Sequence, residues 1–263
     1  MDKKGIILAA HRGDRKNCPE NTMPAFIASL NAGVDMIETD IHLTKDGELV
    51  IMHDRSALRT AGVDRFLDEM TLAEVMELDA GYLFSEEFRG TKVPTAREFM
   101  EWIKDTPLLI NWELKDYPVN VGDEHAFAAA DLLIELIEEY GLGDRSMVNS
   151  FSDRVLEHIY KKCGHRYPIH GQGIYHAPKT KDIPDVPEKE LFDWCCMYPN
   201  EKGHLPMEYP ENFKYCADHG IKTCVCLKDT EEIYRAAIEL GCRMFTSNDI
   251  YEADRVLKAL GER

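Results

Sequence analysis

The sequence has no apolar run near the roughly 20 residues that a membrane-spanning helix needs. Its N-terminal run, residues 6–10, is short and stops at His11 and Arg12. That reads as a buried strand, not as the apolar core of a signal peptide. The eight cysteines form no C-x-x-C pair. Cysteines scattered in this way are expected as reduced residues of a cytoplasmic protein. Positive charge is also scarce: 31 lysines and arginines stand against 48 acidic residues, leaving a net charge of −17. Such a surface repels nucleic acid and anionic membranes, so no nucleic-acid partner and no membrane anchor are expected. It would repel a phosphate ester as well, unless a local cluster of cations or a metal ion receives it. No internal repeat, low-complexity tract or linker divides the chain, so residues 1–263 read as a single domain with an elaborated loop at about 55–94.

The 263 residues are 44% hydrophobic and 30% charged, an ordinary size and balance for a soluble α/β barrel. Apolar runs alternate with amphipathic segments. Strands are expected to begin near residues 6, 37, 49, 109, 147, 168, 222 and 244. Eight strands with intervening helices predict a (β/α)8 TIM barrel. The link from Asp40 to Leu49 is too short to hold a helix, so the barrel should be distorted between strands two and three. Helix starts are marked by Asn21 or Thr22 with Pro24 following, by Thr71 with Glu74, by Thr95 with Glu98, by Ser152 and by Asn248. The proline-rich stretch 176–212 yields no assigned strand.

In such a barrel the reacting groups sit where strands end. Strand one ends in His11-Arg12-Gly13, strand two carries Glu38 and Asp40, strand three ends in His53-Asp54, and strand four carries Glu113 and Lys115. Side chains alternate along a strand. Glu38 and Asp40 therefore share a side, as do Asn111, Glu113 and Lys115, while Ile37, Ile41, Ile110, Trp112 and Leu114 face the helices. Three converging carboxylates repel one another unless a cation joins them. An all-oxygen donor set, with no cysteine or histidine spacing typical of zinc, favours one divalent cation, Mg2+ ahead of Ca2+. Arg12 and Lys115 add charges suited to phosphate oxygens, and His11 and His53 can carry protons. Each element taken alone has an ordinary reading. Glu113 and Lys115 could be a surface ion pair, Arg12 could simply pair with a carboxylate, and Glu20 and Asn21 could shape a turn.

The motifs in order, H-R-G (11–13), P-E-N-T (19–22), E-T-D (38–40), K-D-G (45–47), V-I-M-H-D (50–54), L-D-A-G (78–81), V-P-T (93–95) and N-W-E-L-K (111–115), resemble the signature of glycerophosphodiester phosphodiesterases. S-F (150–151) and R-M-F-T-S-N-D (243–249) match more loosely. The resemblance implies a metal-dependent phosphodiesterase acting on a small-molecule phosphodiester. It implies catalysis by His11 and His53, metal ligation by Glu38, Asp40 and Glu113, and phosphate binding by Arg12 and Lys115. The family pattern gives His42 no role, so His42→Ala should keep most activity. A late W-T-V-N of the family corresponds here to Val225-Cys226-Leu227-Lys228, without the tryptophan that would line the pocket. The alternatives are a lysophospholipase D-type relative and a non-catalytic barrel that binds phosphodiesters.

Overall fold

The computed structural model describes residues 5–172, 185–199 and 202–263. Nine strands are found among them: β1 (Ile7–His11), β2 (Met36–Leu43), β3 (Leu49–Ile51), β4 (Leu109–Leu114), β5 (Ser146–Ser150), β6 (Ile169–Gln172), β7 (Trp194–Met197), β8 (Lys222–Val225) and β9 (Met244–Ser247). All but β3 run parallel, and the sheet closes on itself because β1 pairs both with β2 and with β9. The result is an eight-stranded barrel with helices between the strands, as the alternation of apolar and amphipathic segments predicts.

Two strands depart from the sequence-based count. β3 is not a barrel strand. It folds back antiparallel on the upper half of β2, pairing Ile41 with Ile51 and Leu43 with Leu49. A parallel return needs a crossover of a dozen residues or more, and only five separate β2 from β3. The eighth barrel strand is instead β7, whose four residues Trp-Cys-Cys-Met lie inside the proline-rich stretch.

The alternation in β2 and β4 is realised as a layered core. Ile37, Ile41, Ile110, Trp112 and Leu114 are buried outward beneath the helices, in one cluster with Phe26 and Phe99. Phe99 meets both Phe26 and Trp112 edge-on, at 4.6 and 5.4 Å between ring centres. The indole of Trp112 donates to Ser146 Oγ at 3.0 Å, which satisfies its one polar atom in the apolar layer. Ile7, Ala9, Met36, Met147, Trp194 and Met244 fill the barrel interior. That apolar floor leaves only the upper interior positions for polar side chains.

Helix ends follow the expected chemistry with one exchange. Thr71 and Glu74 form a reciprocal capping box, and Thr95, Ser152 and Thr230 each accept a backbone N–H three residues on. The last helix, Ile250–Ala259, is capped by Asp249, not by Asn248. Residues 55–94 form short helical turns with a small core of their own, including Ala57, Ala61, Leu67, Met70, Val75 and Leu78, packed on Val50 and Met52.

Candidate active site

β1 ends in a sharp turn at the barrel mouth. Arg12 (φ 61°) and Asn21 (φ 57°) are the non-glycine residues with left-handed backbone among the described residues, and Gly13 follows at φ 79°. A Cβ on Gly13 would lie 2.8 Å from the Cβ of Ala25, so only glycine fits. Each left-handed non-glycine residue costs on the order of 1–2 kcal/mol. The surroundings hold both. The Arg12 amide donates to Glu38 Oε2 at 3.0 Å, and Asn21 Nδ2 donates to Asp40 Oδ2 at 2.7 Å. Asn21 is therefore no helix cap; it enters the site and Thr22 takes the cap position.

The parallel register pairs Asp40 with Glu113 and Glu38 with Asn111. Oxygens of Glu38, Asp40 and Glu113 accordingly lie within 4.8 Å of one another, all three residues buried. Lys115 Nζ is 2.7 Å from Glu113 Oε1 and 3.6 Å from Asp40 Oδ1. The ion pair is buried, not superficial. Burial, then the neighbouring carboxylates, pushes Glu38 well above the ordinary carboxylate range. Burial also raises Glu113 against the pull of Lys115. For Asp40, burial acts upward as well, but Lys115 and Arg12 outweigh it and hold the group below its usual range. Glu38 Oε1 and Asp40 Oδ1 are buried without a hydrogen-bond partner. Two orphaned carboxylate oxygens in an all-oxygen set are what a hard divalent cation would satisfy, so the residues fit such an ion.

The two predicted histidines flank this cluster. His11 Nδ1 is 2.7 Å from Asn248 Oδ1, which leaves its Nε2 3.9 Å from Glu38. Burial and the charge of Arg12 push His11 down to about 3. His53 follows β3, so it reaches the mouth on the hairpin laid across β2, not at the end of a barrel strand. Its Nδ1 is 2.5 Å from Asp54 Oδ1 and its Nε2 accepts from Lys115 Nζ at 3.1 Å. Burial is the main cause of its lowered pKa.

Sequence reasoning set aside several residues that the structure brings in. Glu20 gathers Arg12 (3.0 Å), Arg15 (2.9 Å) and Arg59 (2.6 Å) beside the cluster. Asn149 donates to Glu113 Oε2 at 3.3 Å. Phe151 and Tyr198, just past β5 and β7, have ring centres 5.9 Å apart, and the Phe151 ring lies 5.5 Å from Lys115 Nζ. Tyr198 and Cys226 line a small cavity with His11, Glu38 and Glu113. The P-E-N-T and S-N-D motifs were the available signal for Glu20, Asn21 and Asn248. Nothing marked Asn149 or Tyr198.

His42 is no bystander. It is buried, its Nδ1 is 2.6 Å from Asp116 Oδ1, and its Nε2 is 3.3 Å from the carbonyl oxygen of His53. Asp116 Oδ2 also accepts the Leu43 amide at 2.7 Å and lies 3.5 Å from His125 Nε2. Burial acts to raise Asp116, but these imidazoles and the amide hold it well below its usual value, while the Asp116 carboxylate raises His125. A depressed acid contributes stability that is full above its unfolded pKa of about 4 and falls away as the solution is acidified. A raised histidine contributes below about 6.5 and loses that contribution at higher pH. Asp116→Asn is thus expected to destabilise the fold by about 1–3 kcal/mol at pH 5–6, the cost of leaving a buried hydrogen-bond partner unsatisfied, and to flatten the acid limb of the stability profile. Urea melts at several pH values measure both effects.

A parallel eight-stranded barrel carrying a carboxylate, lysine and histidine cluster at the carboxyl ends of its strands defines the class. Residues 11–251 match the glycerophosphoryl diester phosphodiesterase family, and the chain belongs to that family. It is 40% identical over 163 residues to a glycerophosphodiester phosphodiesterase of Caldanaerobacter subterraneus subsp. tengcongensis, over 60% of this chain and 63% of that one. The chain thus spans about three fifths of the length of the first curated relatives it matches. Solved structures share its fold, two of them closely. One is a putative glycerophosphoryl diester phosphodiesterase from Silicibacter pomeroyi, with a TM-score of 0.81 at 21% identity, covering 98% of this chain and 95% of that one. The other is an Oleispira antarctica phosphodiesterase in complex with the product sn-glycerol-3-phosphate, with a TM-score of 0.80 at 20% identity and 97% coverage of each chain. Among the described residues, no helix is long and apolar enough to cross a membrane.

Proposed function

We propose that the chain is a divalent-metal-dependent phosphodiesterase that hydrolyses a glycerophosphodiester to glycerol phosphate and an alcohol. The observation that carries this reading is the convergence of His11, His53 and Lys115 on three buried carboxylates, two of whose oxygens lack a hydrogen bond. Glu38, Asp40 and Glu113 would hold the ion, Mg2+ ahead of Ca2+, because three compact carboxylates leave room for the waters that Mg2+ retains. When bound, it supplies charge to steady phosphate oxygens. Arg12 and Lys115 orient the phosphate. The neighbouring glycerol hydroxyl attacks phosphorus, and one imidazole takes its proton. The bond from phosphorus to the leaving oxygen breaks as the other imidazole protonates that oxygen. Water then opens the cyclic ester. We further read residues 1–263 as one barrel domain, with 55–94 elaborating its mouth, and the protein as cytoplasmic, in keeping with its free cysteines.

A second reading has an observation of its own. A cavity of about 270 Å³ beside Glu20, Arg15 and Arg59 is walled by Leu83 and Phe84, which are 51% and 42% exposed. An apolar wall next to a phosphate site suits the acyl chain of a lysophospholipid. Release of choline from glycerophosphocholine and from lysophosphatidylcholine, measured side by side with Mg2+ and with Ca2+, separates the two. Preference for the lysophospholipid would overturn the first reading.

Lys115→Met tests the phosphate contact. It removes a fixed positive charge and should lower kcat/KM about 10²–10³-fold, the loss typical of one electrostatic donor. An unchanged kcat/KM in a folded variant would remove Lys115 from the site.

A further inference from the structure

Below the carboxylates, the barrel interior holds a second cluster of a different chemical kind. His170 on β6, Cys196 on β7 and Cys224 on β8 each turn a ligand atom inward, and these atoms lie within 4.8 Å of one another. The sheet creates the juxtaposition: Cys196 and Cys224 are direct partners in the register of β7 and β8, and Gln172 on β6 pairs with Cys196. Gly171 keeps His170 in place, since a Cβ there would sit 2.3 Å from the ring of Phe192 and push β6 off its neighbour. His170 Nε2 is 3.1 Å from Cys224 Sγ. None of the three touches the carboxylate cluster's charges by way of a salt bridge, and the reaction described above uses none of them.

We propose that His170, Cys196 and Cys224 form a second metal site, for a thiophilic ion such as Zn2+, at the floor of the catalytic cavity. Two thiolates and one imidazole are a donor set that zinc takes, and oxygen-seeking Mg2+ does not. With bonds of about 2.3 Å to sulfur and 2.0–2.1 Å to nitrogen, tetrahedral ligands stand roughly 3.5–3.8 Å apart. His170 Nε2 and Cys224 Sγ, 3.1 Å apart, would part by a few tenths of an ångström, and the other separations, at most 4.8 Å, would close by no more than about 1 Å. Binding releases one proton from each thiol to solvent. The dication and two thiolates then sum to zero, which is the charge state a buried site tolerates best.

Two further observations fit the site. Asn111 Oδ1 is buried without a partner, while Asn111 Nδ2 lies 3.2 Å from His170 Nδ1. The two ends of an amide are interchangeable by rotation. Turned over, Asn111 Oδ1 accepts Nδ1–H of His170 and presents the Nε2 lone pair to the sulfurs, the outer hydrogen bond that metal-bound histidines need. An entry path also exists, because the cavity lined by His11, Glu38 and Glu113 reaches down to His170 and Cys196. Linear spacing in the sequence cannot reveal such a site, since its ligands meet only across three adjacent strands.

The test is a titration of the intact protein, saturated beforehand with Mg2+, with Co2+. We expect one equivalent of Co2+ to give an intense thiolate-to-cobalt charge-transfer band with tetrahedral visible bands, and Zn2+ to bleach them. Co2+ at the all-oxygen cluster gives only weak absorption, so the two sites are read separately. Cys224→Ser and Cys196→Ser should each lose the charge-transfer band, and Cys163→Ser, outside the barrel, should keep it. Mass-spectrometric alkylation of the unaltered protein gives a second measure: Zn2+ should protect Cys196 and Cys224 and leave Cys163 open. Absence of the band in the unaltered protein, or no protection, overturns the proposal and makes the cluster a thiol–imidazole hydrogen bond of the core. Neither result depends on which diester the protein hydrolyses.

Discussion

Replacing His11 or His53 by alanine is expected to lower kcat/KM by roughly 10²–10⁴, the usual worth of a positioned acid or base. The two imidazoles are held by different groups, His11 by Asn248 and His53 by Asp54. This leaves His11 Nε2 facing Glu38 and His53 Nε2 facing Lys115 Nζ. Because they act on different atoms of one transition state, the double variant should lose less than the product of the two single losses. The rate should follow a bell-shaped pH profile, since one imidazole must be free to accept while the other carries a proton, and the limbs belong to the pair. The control needs care. His42 props the carbonyl of His53 and pairs with buried Asp116, so His42→Ala is expected to cost both stability and rate. His219 is the better control: it is exposed at the end of helix Pro210–Asp218, just ahead of β8 and so at the opposite end of the barrel. Steady-state kinetics on glycerophosphocholine, with circular dichroism for folding, decide the matter. An active, folded His11→Ala or His53→Ala enzyme would refute the proton-transfer roles.

The sequence legibly carried the elements whose chemistry is local. Period-two alternation in β2 and β4 put Glu38, Asp40, Glu113 and Lys115 on one side and Trp112 on the other, because a buried parallel strand has no freedom to do otherwise. The short link after Asp40 announced an irregularity. It did not announce a hairpin, and β3 passed for a barrel strand because an apolar run reads the same in either direction. β7 escaped because four buried residues amid prolines make too short a periodic signal. Glu20 illustrates what could not be read. Its carboxylate meets three arginines from two separate segments, a contact fixed only when residues 55–94 fold against the H-R-G turn. The same holds for Asn248, which looks like a helix cap in sequence and serves His11 in space. The acidic composition is resolved here too. Arg12, Arg15, Arg59 and Lys115 gather at the mouth of a protein whose net charge is −17, but each is paired with a carboxylate there, so a bound cation is still needed to receive a phosphate ester.

Chelation should abolish activity, and Mg2+ or Ca2+ should restore it. Glu38, Asp40 and Glu113 bring three carboxylates into a space where Arg12 and Lys115 answer only two of the charges. Without a further cation, burial resolves the excess by pushing Glu38 and Glu113 toward the protonated form. A protonated carboxyl neither binds a hard cation nor leaves a fixed negative charge, so ion binding and deprotonation are linked. Affinity for the ion should therefore fall as the pH is lowered. Glu38→Ala, Asp40→Ala and Glu113→Ala should each lose ion and rate together, and added Mg2+ should not rescue them at concentrations that saturate the unaltered protein. Melting temperature gives a readout independent of turnover. An ion present at 100 times its Kd adds about 2.7 kcal/mol to the stability of the unaltered protein, and the three variants should lack that gain. Full activity in exhaustively chelated enzyme would overturn the metal dependence. A melting temperature that Mg2+ raises equally in the Glu38→Ala variant would place the ion elsewhere.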